Sequence, residues 1–258
     1  DMATFTAHRG YCEDGKYKEN TMDAFANAIQ CGFKGIETDI RVTADGEFVL
    51  SHDDCIWKRV YTCPGDITDS IERRGNISML TYDQLYRLTD GKIVKLSDYL
   101  DYIKGKNVHS YLEIKELIAS NYPTAEQVAN ETGLNLIQKQ QAYQVKKLLD
   151  MIYSRGMVDQ VTISSFVSEY LELARSIDKT IAIQYTIEKR DIDVNYLKKY
   201  NFGVDTPLWW VSSEVMRHYK ENGIRVGVYC ADTKEQMLRA MYLQADNIMS
   251  NKCLFKQR

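Results

Sequence analysis

The stretch IETDIRVTADGEFVLSHDD, Ile36 to Asp54, sets Glu37 and Asp39 two residues apart in a run otherwise rich in Ile and Val. Side chains alternate across a strand, so the two acids face the same side. Asp45-Gly46 then reads as a turn, and EFVLSHD (47–53) as a second extended segment that closes on His52 and Asp53. Carboxylates on one face of a β-type run, with a histidine ending the next, point to a bound cation and a proton-transfer group.

The same alternation of short β-type runs and helical patterns continues on both sides. ATFTAH (3–8) reads as a strand, ENTMDAFANAIQCG (19–32) as a helix stopped by Gly32, and GIETDIRVT (35–43) as the next strand. Residues 82–88 and 96–103 read as short helices, and SYLEIK (110–115) as a strand with an acid in its middle. A loop over 116–136 and a long amphipathic helix over 136–156 follow. VDQVTISSF, 180–186, 202–206, 224–230 and 245–250 then read as strands, separated by helices over SEYLELARSI, 194–200, 212–223 and TKEQMLRAMYL. Roughly eight βα units, with strands expected to be continuously apolar and no linker between them, predict an α/β fold: a single (β/α)8 TIM barrel spanning 1–258. A doubly wound sheet is the alternative, but no GxGxxG turn follows the first strand. Residues 54–80, with Pro64-Gly65 and Arg74-Gly75-Asn76, break the rhythm and read as an inserted loop or small cap after the second strand region.

Composition narrows the function. A net charge of −3 does not advertise nucleic acid or an anionic membrane surface, both of which favour a basic face, so neither is expected as a partner. No apolar run approaches the roughly 20 residues of a transmembrane helix. The six cysteines are scattered, with no CxxC pair for a thiolate metal site, and are expected to be free thiols in a reducing, cytoplasmic setting. An exported protein is the alternative if a leader precedes Asp1. Cys55 and Cys63 are the one pair close enough in sequence to consider as a disulfide.

Catalytic groups of a barrel sit at the C-terminal ends of its strands. The first strand ends in His8-Arg9-Gly10, the second carries Glu37 and Asp39 with His52 beyond, and the third carries Glu113 and Lys115. Three converging carboxylates repel unless a cation joins them, and a hard divalent ion, Mg²⁺ or Ca²⁺, suits oxygen ligands. His8 and His52 are expected to work as acid and base, whereas His109, in a loop, and His218, on a helix, look like ordinary surface or packing residues. Arg9 and Lys115 add cations that suit a phosphate.

AHRG (7–10), ENT (19–21), IETD (36–39), the turn at 45–46, SHDD (51–54) and LEIK (112–115) together resemble the glycerophosphodiester phosphodiesterase family, in order and spacing, over about the first 115 residues. The resemblance implies metal-dependent hydrolysis of a small-molecule glycerophosphodiester to glycerol 3-phosphate and an alcohol. It implies Glu37, Asp39 and Glu113 as ligands of one divalent cation, His8 and His52 as the acid–base pair, Arg9 and Lys115 on the phosphate, and Glu19 and Asn20 as braces. The insertion after the HD motif looks like the family's cap. The attacking oxygen is left open between water and the glycerol hydroxyl. Three positions depart from the pattern: Lys18 where Pro is common before ENT, Tyr229-Cys230 for Trp-Thr, and Ser250-Asn251-Lys252 for Thr-Asp-x-Pro. All three are expected to shape the alcohol pocket without touching the metal or the histidines. Trp209 and Trp210 would line that pocket or simply pack. The alternatives are a phospholipase-like barrel enzyme of phosphoinositide or sphingomyelin type, a glycosidase using Glu37 and Glu113, and a non-catalytic phosphodiester-binding protein. The glycosidase leaves His8, Arg9 and His52 unexplained, and the binding protein has no need of paired proton carriers.

Overall fold

A computed structural model describes residues 3–61, 69–117 and 136–255. Eight parallel strands close into a barrel: β1 (Thr4–Ala7), β2 (Gly35–Val42), β6 (His109–Ile114), β7 (Val161–Ser165), β8 (Ala182–Thr186), β9 (Gly203–Pro207), β10 (Val226–Tyr229) and β11 (Asn247–Ser250). Closure comes from β1, which pairs with β11 on one side and β2 on the other. A short strand, β3 (Phe48–Leu50), lies antiparallel on β2. The predicted TIM barrel is the fold observed.

Among the described residues the α-helices are α1 (Met22–Cys31), α2 (Tyr82–Leu88), α3 (Leu96–Ile103), α4 (Leu136–Ser154), α5 (Ser168–Ile177), α6 (Val194–Tyr200), α7 (Ser213–Glu221) and α8 (Lys234–Tyr242). Their ends follow local chemistry. Thr81 with Gln84 and Thr233 with Gln236 form capping boxes, and Ser212 caps α7. Gly32, at φ 94°, ends α1 in the left-handed conformation that favours glycine. The first helix starts at Met22 instead of Glu19, because Thr21 is its cap and Asn20 is held at φ 55° by contacts to the site.

Residues 54–80 contain regular structure where a loop is expected. Cys55–Tyr61 (β4) and Asp69–Asn76 (β5) pair antiparallel as a two-stranded hairpin apart from the barrel sheet. Ile56, Trp57, Val60, Tyr61 and Ile71 supply the β-branched and aromatic residues that strands favour. A register shift between Ile56 and Trp57 removes the strict period two that would have advertised it. Cys12, Cys31 and Cys230 are free thiols, Cys55 is buried at the hairpin base, and Cys63 lies outside the described residues, as does most of the loop expected over 116–136.

The apolar core lies between the barrel wall and the helices. Ile36, Ile40, Leu112 and Ile163 from the strands pack in one cluster with Phe25, Tyr99, Leu100 and Leu171 from the helices. The other face of the strands is not apolar. Buried Thr6, Glu37, Asp39, Thr162, Gln184, Asp205 and Asn247 make the barrel interior polar, with Thr6 Oγ1 donating to Asn247 Oδ1 at 2.5 Å. The expectation of continuously apolar strands is corrected accordingly, since a closed barrel turns one face of every strand onto the others. Two approaches are close enough to require glycine. A Cβ on Gly35 would lie 2.1 Å from Thr6 Oγ1, and one on Gly10 would lie 2.8 Å from Ala24 Cβ. Gly10, at φ 80°, lets the chain leaving β1 turn over the start of α1.

Candidate active site

On β2 the inward face carries Glu37, Asp39 and Arg41 in succession, and the β2–β6 register sets Asp39 opposite Glu113. Glu37, Asp39 and Glu113 each place an oxygen within 4.8 Å of the others. Glu37 and Asp39 are almost completely buried. Among the described residues no hydrogen-bond donor reaches Glu37 Oε1 or Asp39 Oδ1. Buried, unpartnered carboxylate oxygens are costly unless a cation or a proton joins them. The oxygen-only donor set fits a hard divalent cation.

Without a cation, burial and mutual repulsion favour a proton on the cluster. Burial, then the neighbouring Asp39 and Glu113 charges, push Glu37 well above the usual carboxylate range. Burial and Asp39 push Glu113 up to about 7. Burial also acts to raise Asp39, but the Lys115 ammonium, the Asn20 amide and Arg9 outweigh it and hold that carboxyl low.

The chain after β1 wraps this cluster. Arg9 is at φ 57°, a strained conformation for a non-glycine residue, and its peptide N–H donates to Glu37 Oε2 at 3.0 Å. Its guanidinium Nη1 donates to both Glu19 oxygens, at 3.2 and 3.0 Å, and Nε lies 3.8 Å from Asp39 Oδ2. Asn20 Nδ2 donates to Asp39 Oδ2 at 3.0 Å, while Asn20 Oδ1 accepts from Thr38 Oγ1 at 2.7 Å. Lys115 Nζ sits 2.8 Å from Glu113 Oε1, 3.9 Å from Asp39 Oδ1 and above the Phe166 ring. His8 Nε2 faces the cluster at 3.9 Å from Glu37 Oε2, and burial, then Arg9, lower its pKa. His52 Nδ1 lies 2.9 Å from Asp53 Oδ1. All nine residues singled out from the sequence thus lie in or beside one barrel mouth.

His109 is not in a loop. It opens β6 at the opposite end of the barrel, with Nε2 2.7 Å from Thr162 Oγ1, and burial followed by Arg225 lowers it to about 4. His218 is exposed on α7. The three departures also divide. Lys18 is exposed beside Glu19, Trp209 is exposed against Tyr229, and Trp210 packs on the core. Asn251, however, contacts a histidine: its Oδ1 is 2.8 Å from His8 Nδ1. The expectation that the departures stay clear of the histidines fails there, because barrel closure brings the end of β11 against the end of β1.

Other residues are visible only in the fold. Arg41 donates from Nε and Nη2 to the His52 carbonyl at 3.1 and 2.7 Å and pairs with Glu116 at 3.3 Å, which anchors the His52 loop. Its place four residues after Glu37, on the same face, is the signal in the sequence that points to it. A cavity of about 530 Å³ opens beside His52, lined by Tyr17, Lys18, Glu19, Ile56, Trp57 and Lys92.

Inside the barrel, Asp205 on β9 is buried with Oδ1 unpartnered, and burial, then Glu113, push it up to about 8 from an ordinary value of 3.8. The folded state therefore holds a proton that the unfolded chain releases, and Asp205 costs stability progressively as pH rises from about 4 to about 8. Asn mimics the protonated acid without titrating. Asp205→Asn is expected to leave the Tm of EDTA-treated protein nearly unchanged at pH 4, where both states still hold the proton, and to raise it by about 10 °C or more at pH 9, at about 1.4 kcal/mol per pH unit between the unfolded and folded values and about 2–4 °C per kcal/mol for a chain of this size. Equal Tm values for variant and wild type at pH 9 would refute this.

Comparison with known proteins agrees with the architecture. The model of the glycerophosphoryl diester phosphodiesterase family matches residues 8–254. A glycerophosphodiester phosphodiesterase of Caldanaerobacter subterraneus subsp. tengcongensis is 24% identical, over 95% of this chain and 92% of its own. The crystal structure of the glycerophosphodiester phosphodiesterase of Thermotoga maritima superposes with a TM-score of 0.70 at 24% identity, covering 98% of this chain and 96% of that one. A phosphodiesterase of Oleispira antarctica, solved with its product sn-glycerol-3-phosphate, superposes at 0.74 with 18% identity, covering 97% and 93%. With its family match running from His8 almost to the last described residue, this chain is an enzyme of the glycerophosphoryl diester phosphodiesterase family.

Proposed function

We propose that the enzyme hydrolyses glycerophosphodiesters to glycerol 3-phosphate and an alcohol, and that it does so with one divalent cation, Mg²⁺ or Ca²⁺, held by Glu37, Asp39 and Glu113. The observation that carries this reading is the convergence of three buried carboxylates within 4.8 Å, flanked by His8, His52, Arg9 and Lys115. Once bound, such a cation supplies positive charge for a non-bridging phosphate oxygen. Arg9 and Lys115 share that charge, and their ion pairs with Glu19 and Glu113 hold them at the mouth. His8 and His52 exchange protons with the attacking and leaving oxygens. Glu19 and Asn20 brace Arg9 and Asp39. The family match and the glycerol phosphate bound by the Oleispira neighbour support the substrate class. The test is release of glycerol 3-phosphate from glycerophosphocholine, with and without chelator. No release in the presence of Mg²⁺ or Ca²⁺ would refute the proposal.

The whole chain is read as one catalytic barrel domain, with 54–80 as a cap that selects the alcohol and supplies no chemistry. The hairpin leaves the barrel directly after His52-Asp53-Asp54, and the Ile77 N–H donates to the Asp54 carbonyl at 2.8 Å, closing its base. Its first residues wall the cavity beside His52. Replacing residues 56–76 with a short Gly-Ser loop is expected to change the relative rates on glycerophosphocholine, glycerophosphoethanolamine and glycerophosphoinositol while metal binding survives. Unchanged ratios in a folded variant would assign the hairpin no part in selection. No helix among the described residues is long and apolar enough to cross a membrane.

A further inference from the structure

Barrel closure places three side chains in a row at the mouth. Asn251, just past β11, sets Oδ1 2.8 Å from His8 Nδ1. The other face of the same side chain meets Asp232, which follows β10. Asn251 Nδ2 donates to Asp232 Oδ2 at 3.0 Å, and the Asn251 peptide N–H donates to Asp232 Oδ1 at 2.7 Å. Ser250 Oγ adds a longer bond to the same carboxylate, at 3.4 Å. Asn251 is exposed, so the two-point grip of Asp232, and not burial, orients its amide.

The donor and acceptor character of these groups places the protons. A carboxylate only accepts, so the amide must turn its NH₂ to Asp232. It therefore presents its carbonyl oxygen to His8, and a carbonyl oxygen also only accepts. His8 Nδ1 must then carry a hydrogen. In the neutral ring the lone pair is left on Nε2, the nitrogen that faces the carboxylate cluster 3.9 Å from Glu37 Oε2. His52 is oriented by a different device, the carboxylate of the adjacent Asp53.

We propose that Asp232 and Asn251 are positioning residues: together they hold neutral His8 in its Nδ1-protonated tautomer and aim Nε2 at the phosphodiester. This rests on the hydrolytic reading above, which gives Nε2 a proton to move. At position 251 the resembling family commonly has an acid. Here the amide contacts the ring and the carboxylate stands one residue behind it, so the tautomer is set without a full charge against the imidazole.

With only four histidines, the imidazole nitrogens can be assigned one by one in ¹⁵N-histidine-labelled protein. At a pH where His8 is neutral, the wild-type ring is expected to show a protonated Nδ1 and an unprotonated Nε2. N251A is expected to shift the ring toward the Nε2-protonated form and to lower kcat by about ten- to a hundredfold with little change in KM, the range for losing a partner that orients a functional histidine. D232N should give a smaller effect of the same kind. The exchange D232N/N251D keeps an acceptor against Nδ1 and a donor behind it, and is expected to restore both the tautomer and most of kcat, which a purely structural role would not do. Retention of the Nδ1-protonated form in N251A, or wild-type kcat in that variant, would overturn the proposal. So would an exchange variant that is folded but no better than N251A. Absence of hydrolysis by the wild-type chain would overturn the functional reading instead, and the nitrogen shifts, read without substrate, would still decide the role of the clamp.

Discussion

Glu37→Gln is expected to remove most bound divalent metal and to lower kcat/KM by about 10²- to 10³-fold, the scale for losing a principal electrostatic stabiliser. Both effects should appear together, because Glu37 offers the cluster a buried oxygen with no other described partner. The substitution is also a clean one. Burial and the neighbouring acids already favour a protonated Glu37 in metal-free protein, so the neutral amide imitates the resting side chain. It can still accept the Arg9 peptide N–H that Glu37 Oε2 accepts at 3.0 Å. The variant should therefore fold, with a Tm in EDTA no lower than that of the metal-free wild type. Metal content measured on the purified protein, beside activity, checks the link. Full activity in EDTA-dialysed wild-type enzyme would remove the metal from the mechanism.

His8→Ala and His52→Ala are each expected to lower kcat by about 10² or more, the usual loss for a positioned acid or base. His8 faces the carboxylate cluster through Nε2, and His52 follows β3 on a loop tied down by Arg41. His109 and His218 serve as controls. His218→Ala should be silent, since the side chain is exposed on α7. His109→Ala should leave kcat unchanged but lower the Tm, because a half-buried ring bonded to Thr162 is lost, at a cost of about 1 kcal/mol. A His109→Ala variant as damaging to kcat as His52→Ala would place the chemistry at the wrong end of the barrel.

Much of the fold and of the site is legible in the residues themselves, and the reason is local. Side-chain alternation puts Glu37 and Asp39 on one face of a strand whatever the strand pairs with. Capping residues set the ends of α2 and α8, and the succession of βα units implies a barrel. Glu113 can be paired with Asp39 because consecutive parallel strands in a barrel are neighbours. The hairpin is hidden because its register shift breaks the period-two signal. The polar barrel interior is hidden because alternation says that two faces differ but not that one of them closes on itself.

The contacts among the candidate site residues lie beyond the sequence for a stronger reason. Asn251 and His8 are 243 residues apart, and they meet only because β11 pairs with β1 in the register that sets Ala7 beside Ser250. Sequence alone determined the kinds of group at each strand end, the carboxylates, histidines and cations, because those follow from residue identity and strand period. Only the tertiary structure decided which of them touch, which oxygens remain unpartnered and which nitrogen of His8 faces the site, because ring closure and strand register are properties of all eight strands together.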